Sequence, residues 1–458
     1  MNQQSLLFGL QVGVLLWLSL WSLRVLRELA KGQVASASIA ILIHFIFVGV
    51  PLGFDLTGNL PDYRFWPTYR YSSEDYQTNL IFLVYMAICP PIWWYTTKKQ
   101  RMVAIQKISP RLNKEFHRYL QNLVPFFWLI LISPLVLLMF APDPFVYLDY
   151  AAIVREEFAG PTFDYHLYIS TATTVALLAA ASLLYAAKRV WPMLVVLSPF
   201  VICAMWLNGK RACVVIWLLL LVIVLRMRGQ LQGFRLILAC SLALGIFVGY
   251  SFTYQSRYRS NSVLTMEAAY QNYRIDFGRD QGIKMAIYGE LNPQYVQILE
   301  YRGQSLLFDM TFFVPRSAWP DKPWPYAVYS TAAALNFPMD YIGWGVTTSI
   351  LEEAVANFSW LGLILGPLMI SLVIRLGEST GEPMAAFLTR LIVVLLLTVQ
   401  MAAWLYLAIL WVLAVVRARR IYKLDQKMAR KLGLQARFGG HAPVFSPRPG
   451  FRPRIGGA

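Results

Sequence analysis

Charge is what this sequence has least of. Only 14% of its 458 residues are charged, against about 25% in soluble globular domains. That deficit excludes a soluble enzyme, a disordered chain and a coiled coil. Histidine is almost as scarce, with His44, His117, His166 and His441 the full set. Two of these fall inside by the topology below, and His44 lies in an apolar run as a packing residue. The four cysteines, Cys89, Cys203, Cys213 and Cys240, lie in or beside apolar runs. None lies in a long polar loop, so no disulfide framework is visible. No metal-ligand cluster, Mg²⁺-type carboxylate spacing or glycine-rich phosphate loop is present. No cofactor and no metal are therefore expected. Internal repeats are also missing, which argues against the usual transporter plan.

What the sequence has instead is apolar length. Hydrophobic residues make up 57% of the chain, and several runs reach the length that spans a bilayer. The hydropathy pattern predicts eleven spans (10–12 allowing for uncertain boundaries): 5–23, 36–53, 79–97, 123–141, 168–187, 191–207, 212–225, 236–252, 358–374, 384–399 and 402–416. The last two form a hairpin turning near Gln400, since one helix over 384–416 would run about 50 Å across a ~30 Å core. The first run lacks a basic leader and is followed by arginines. It is expected to stay as a span rather than be cleaved.

The net charge of +17 then needs sorting by side. With the N-terminus outside, the inner segments hold 27 of the Lys and Arg residues and a net +22. The outer segments hold 13 and a net −4. Lys and Arg concentrate on the cytoplasmic side of membrane proteins, so this orientation is well specified, with the C-terminus inside. Nucleic acid is not an expected partner, because most of the excess charge orients the chain or sits in its tail. The expected organisation is an N-terminal set of eight helices over 1–252, a large outer loop over 253–343, three helices over 344–416, and a basic tail over 417–458. From Ala436 the tail is rich in Gly, Pro and Arg and is expected to be disordered near anionic headgroups.

The outer loop breaks the sidedness rule. It carries Arg257, Arg259, Arg274, Arg279, Lys284, Arg302, Arg316 and Lys322 against eight carboxylates. Local ion pairs such as Arg274–Asp276 and Arg279–Asp280 are one explanation. An anionic ligand outside the membrane is the other, since the Arg fork suits phosphate oxygens. Tyr250, Tyr254, Tyr258, Tyr270, Tyr273, Tyr301, Trp319 and Trp324 suit sugar rings or the membrane interface equally. The four-residue outer turn Asn208-Gly209-Lys210-Arg211 places two more cations on the same side. They either snorkel to headgroups or clamp a phosphate.

Two stretches carry a resemblance. Residues 303–325 (GQSLLFDMTFFVPRSAWPDKPWP) hold the Pro315-Arg316 step and its Trp319-Pro320-x-Lys322-Pro323 continuation. Residues 349–366 (SILEEAVANFSWLGLILG) hold a Glu-containing helix leading through Asn357-Phe358 into a Gly-rich span. Together with the Gly209-Lys210-Arg211 turn, they resemble the oligosaccharide repeat-unit polymerases, the O-antigen polymerase-like (Wzy-type) proteins of bacterial inner membranes. Leu351 and Ser359 stand where that family often has Gly.

The resemblance implies an all-α polytopic membrane protein of the GT-C-like kind with a large folded periplasmic loop. It sits in the inner membrane, N-terminus periplasmic and C-terminus cytoplasmic. It also implies transfer of a glycan from one polyprenyl-diphosphate carrier to a sugar hydroxyl on another, building O-antigen, exopolysaccharide or capsule. Such a donor brings its own leaving group, so Arg and Lys can stabilise the departing diphosphate without an acid. The catalytic candidates are Arg211, Arg316, Arg274, Arg279 and Glu352. Lys210, Arg257, Arg259, Lys322, Trp319 and Tyr273 are candidates for holding diphosphate or glycan. A general base, if used, is sought among Asp276, Asp280, Glu290 and Glu352, with His166 weaker. The expected partners are the lipid-linked oligosaccharide, membrane lipids and a chain-length regulator. An O-antigen-ligase-like transferase and a transporter of lipid-linked sugars are the alternatives.

Overall fold

Apolar runs of this length become helices because lipid offers backbone N–H and C=O groups no partner. A computed structural model describes residues 3–31, 34–58, 60–100, 117–150, 161–258, 270–271, 273–274, 278–314, 316, 318–339, 342 and 345–431. Among the described residues there is no strand. The chain opens with α1 (Gln3–Ala30), α2 (Ser36–Leu56), α3 (Pro67–Glu74) and α4 (Tyr76–Thr96). Then come α5 (Val124–Met139), α6 (Pro161–Ala186), α7 (Val190–Asn208), α8 (Arg211–Met227) and α9 (Phe234–Tyr258). The large loop contributes α10 (Asp280–Leu291), α11 (Gln304–Met310) and α12 (Tyr326–Leu335). The chain continues through α13 (Ile350–Phe358), α14 (Gly362–Gly377), α15 (Pro383–Thr398) and α16 (Leu405–Lys431).

Six of these segments are long and apolar enough to cross a membrane: α1, α2, α4, the Tyr168–Ala186 part of α6, α7, and α13–α14 taken together. Shorter apolar helices include α5 and α15. This is the build of a helical membrane protein. Burial separates the helices into two kinds. In α1 only 17% of the apolar window is buried, and Leu6, Phe8, Leu16, Trp17 and Leu20 face outward. Apolar surface of that extent needs lipid around it. By contrast 72% of the window in α6 is buried, and α6 packs against α5, α7 and α8. Helix α15 is buried from Ala385 to Thr398. All four cysteines are free thiols.

Two boundaries differ from expectation. The span expected at 358–374 begins with Ile350, so Glu352 and Glu353 lie within the apolar segment rather than before it. They are carried in by α13, which packs against α14. Helix α16 runs to Lys431, past the expected end at 416. The break near Gln400 falls where it was expected, between α15 and a short 3-10 turn at Met401–Trp404. The expectation for the tail from Ala436 falls outside the described residues.

The α13–α14 junction is tight. Ser359 adopts φ 55° and ψ −141°, a conformation that favours glycine. Its hydroxyl donates to Glu290 Oε2 at 2.6 Å, an anchor that glycine would lack. A Cβ on Gly362 would lie 2.2 Å from the Ala354 carbonyl oxygen. Gly362→Ala should therefore force α13 and α14 apart. The expected cost is about 1–3 kcal/mol, read as a lower midpoint for thermal unfolding of the detergent-solubilised protein.

Candidate functional site

Pro51 sets the site up. It lies near the end of α2, just after a π-helical turn at Phe45–Gly49. Proline has no N–H, so one carbonyl a turn back loses its helical partner, and the π-helical turn disturbs the pairing beside it. The loop residues fill those places. Tyr273 Oη donates to the Ile46 carbonyl at 2.5 Å, and the Arg279 backbone N–H donates to the Phe47 carbonyl at 3.0 Å. Arg274 Nη1 reaches the Pro51 carbonyl at 3.2 Å. A defect in one helix thus becomes a socket for a segment more than 200 residues away.

A buried ring of charge closes over that socket. Arg274 Nη1 lies 2.7 Å from Asp55 Oδ1, and Arg274 Nη2 lies 2.9 Å from Asp280 Oδ2. Lys284 Nζ lies 3.3 Å from Asp55 Oδ2 and 3.9 Å from Asp280 Oδ2. Arg274 is 0% exposed, and no side chain in the ring exceeds 8%. The four charges sum to zero, which is the condition for keeping them out of water. Of the two suggested local pairs, Arg279–Asp280 is replaced by Arg274–Asp280. Asp280 faces Arg274 and, one helical turn on, Lys284, because neighbours three or four apart share a helix face and adjacent residues do not. Asp276 lies outside the described residues. Arg279 turns the other way, and its Nη2 donates to the Thr398 carbonyl at 2.7 Å, at the C-terminal end of α15. Cations are favoured at such ends.

Glu352 sits on the far side of α10. Its Oε1 accepts the Ser349 backbone N–H at 2.6 Å, closing the first turn of α13. Its other oxygen occupies the space beside Gly282, where a Cβ would be 1.7 Å from Oε2. Glycine at 282 is what lets the carboxylate approach α10.

A second polar group joins α11 to α13. Ser305 Oγ donates to Glu353 Oε1 at 2.9 Å, and Asn357 Nδ2 donates to Ser305 Oγ at 2.8 Å. Beside them Asp309 is buried, and its Oδ2 has no hydrogen-bond partner among the described residues. Burial, with the Glu353 charge adding to it, pushes the Asp309 carboxyl up to about 8. Arg302 ties the same corner together. It forms a fork on Glu290 at 2.5 and 2.8 Å, and its Nη1 also donates to the Ala356 carbonyl at 2.7 Å.

The remaining sequence candidates fall into three groups. Arg316 and Lys322 hold their own loop. Arg316 donates to the carbonyls of Lys322 at 2.7 Å and Pro323 at 3.0 Å and stacks 3.5 Å from the Trp324 ring. Lys322 Nζ donates to the carbonyls of Phe312 and Val314 at 3.0 and 2.9 Å. Trp319 is half-buried in the same loop, its carbonyl accepting the Lys322 N–H at 3.1 Å. The second group is the Asn208–Arg211 turn. Gly209 takes a left-handed φ of 67°, and Asn208 Nδ2 is pinned to Ser170 and Thr173 by bonds of 2.7–3.1 Å. Lys210 is exposed, and Arg211 opens α8. Close by, the buried His166 faces the Tyr147 hydroxyl at 3.3 Å. The third group is Arg259 and the side chains of Arg211 and Arg257, which lie outside the described residues.

Asp55, Lys284, Asp309, Glu353 and Ser305 were not singled out as site residues from sequence. Asp55 carried a signal, being a carboxylate at the outer end of an apolar run with no cation in its own loop until Arg64. Asp309 carried none, because its burial depends on α13 and the Pro-rich loop. No protein-family model matches the chain, and no curated protein or solved structure matches it significantly.

Two outcomes follow from this geometry. Arg274→Ala leaves Asp55 and Asp280 sharing one cation in a dry site and should cost about 3–5 kcal/mol, measured by thermal unfolding in detergent. Asp309→Asn should do the opposite in a pH-dependent way. A carboxyl raised from 3.8 to about 8 binds its proton more tightly in the folded state. It therefore destabilises progressively as pH rises from about 4 to 8. The variant should match the parent near pH 4 and exceed it at pH 8, by a few kcal/mol at most.

Proposed function

We propose that this protein polymerises polyprenyl-diphosphate-linked oligosaccharide repeat units on the periplasmic face of a bacterial inner membrane. One observation carries the reading. The two stretches that resemble the repeat-unit polymerases, 303–325 and 349–366, are distant in sequence but packed into one buried polar site. Ser305 meets Glu353 and Asn357 across the α11–α13 contact, and Arg302, just before the first stretch, bonds the Ala356 carbonyl. Elements drawn together around a buried carboxyl oxygen with no partner among the described residues are the pattern of a site rather than of a connector. In this reading the chain has eleven spans, a GT-C-like plan, an outer N-terminus and an inner C-terminus. A chain-length regulator is its protein partner.

The chemistry is an acetal exchange at an anomeric carbon. The acceptor hydroxyl oxygen bonds to that carbon, and the bond to the carrier diphosphate breaks. The electron pair leaves on the diphosphate, and the hydroxyl proton goes to a carboxylate. The leaving charge calls for cations that are not consumed by structural pairs. Exposed Lys210 fits that need, and Arg211 beside it in sequence is a candidate. Arg257 and Arg259 are further candidates. Arg274, Lys284, Arg316 and Lys322 hold the scaffold in place. The proton acceptor is the Asp309–Glu353 pair. Of the general-base candidates described, Asp280 is tied into the ion ring, Glu290 into the Arg302 fork, and Glu352 into the α13 cap. A carboxyl titrating near neutrality suits a base.

Deleting the gene and separating surface glycan by gel tests the reading. Single repeat units in place of long polymer are expected. Unchanged long polymer in a strain without a second copy overturns it. Accumulated lipid-linked polymer would indicate a ligase, and units trapped on the cytoplasmic face a transporter. Within the polymerase, Asp309→Asn should cut polymer formation at least 100-fold while keeping or raising thermal stability.

A further inference from the structure

A cleft of about 400 Å³ lies on the loop domain between the 295–298 segment and the C-terminal half of α12. Its lining includes Tyr295, Gln297, Tyr329, Asn336 and Phe337, and no charged side chain contributes. This separates it from the ion ring and from the carboxyl pair. The lining itself offers no counter-charge to the anionic groups of a lipid-linked donor.

The lining is fixed from behind. Val296 is buried, and its carbonyl closes on Gly289, where a Cβ would lie at 3.2 Å. Ile298 packs with Ala333, Met285 and Tyr69. Asn336 ends α12 in the left-handed region at φ 55°. A residue there stops the helix and turns the chain so that Phe337 stands at the rim. Tyr329 accepts the Trp324 backbone N–H on its hydroxyl at 3.2 Å. The cleft therefore abuts the Pro-rich loop whose shape Arg316 holds.

The front is open and aromatic. Tyr295 is 72% exposed and Phe337 is 60% exposed. Two large ring faces are left facing outward beside two amides. An aromatic face covers the C–H face of a sugar ring, and amides exchange hydrogen bonds with its hydroxyls. Gln297 Nε2 already donates to the Glu300 carbonyl at 3.0 Å, which leaves its oxygen and the Asn336 amide for sugar hydroxyls. A hydrocarbon tail would use the rings and leave these polar groups uncompensated, at a cost.

We propose that this cleft binds a neutral sugar of the glycan and holds the growing chain near the transfer site between additions. Its assignment to a growing chain rests on the polymerase reading above. Retention of this kind sets how many additions occur before release. Losing the cleft should therefore shorten the polymer, whereas losing the proton acceptor should stop it.

The test uses Tyr295→Ala and Phe337→Ala in the full-length protein, checked for membrane level and thermal stability. Both side chains are exposed, so folding should be spared. The expected result is at least a twofold fall in the modal number of repeats on a gel. An unchanged length distribution in both variants overturns the proposal. A binding measurement separates it from the function itself. The delipidated repeat-unit oligosaccharide of the host polymer is titrated into the detergent-purified protein, followed by tyrosine and tryptophan fluorescence. Saturable binding weakened at least tenfold by Tyr295→Ala is expected. Equal binding by variant and parent, or a response to a short-chain phospholipid and none to the saccharide, overturns the cleft assignment. If Tyr295-dependent binding is found but gene deletion leaves long polymer intact, the saccharide site stands and the polymerase reading falls.

Discussion

Arg274 and Asp55 lie 2.7 Å apart with almost no exposure to water, and the loop half of the molecule is arranged around that contact. A guanidinium and a carboxylate are stable in a dry setting only together. Once Arg274 is committed to Asp55, the chain near it must run along the end of α2. Helix α10 must then bring Asp280 and Lys284 to complete the neutral ring. Tyr273 and Arg279 follow into the carbonyls left open before Pro51. The site is thus held by obligations of charge and backbone rather than by apolar packing alone.

The same requirement explains the unusual chemistry one layer further out. Gly282 admits the Glu352 carboxylate to the surface of α10, and Ser305 donates to the Glu353 carboxylate while accepting from Asn357. Asp309 is left over, buried with one oxygen that has no partner among the described residues. A folded protein tolerates such a group where it has work to do. The cations first suspected from their number divide accordingly. Those in the dry interior brace the scaffold, and Lys210 at the Asn208–Arg211 turn is exposed.

Some of this was legible beforehand. The apolar runs predicted helices, and each expected span coincides with a described helix, because hydropathy over about 20 residues is a local property. The break at Gln400 was legible for the same reason. The suggested Arg279–Asp280 pair gives way to Arg274–Asp280, because adjacent residues on a helix do not share a face. Ring closure instead joins residues 55, 274, 280 and 284. Arg316 and Lys322 read as ligand-binding cations, but whether a cation faces a ligand or a carbonyl depends on how its loop folds back.

What the sequence by itself determined is the helical, membrane-suited build and the placement of the charged loop between apolar segments. Both follow from composition and periodicity along the chain. Which charges are buried, which pair and which remain open was decided only by tertiary structure. Those outcomes depend on desolvation and on partners brought from elsewhere in the chain, and no local stretch of sequence contains them.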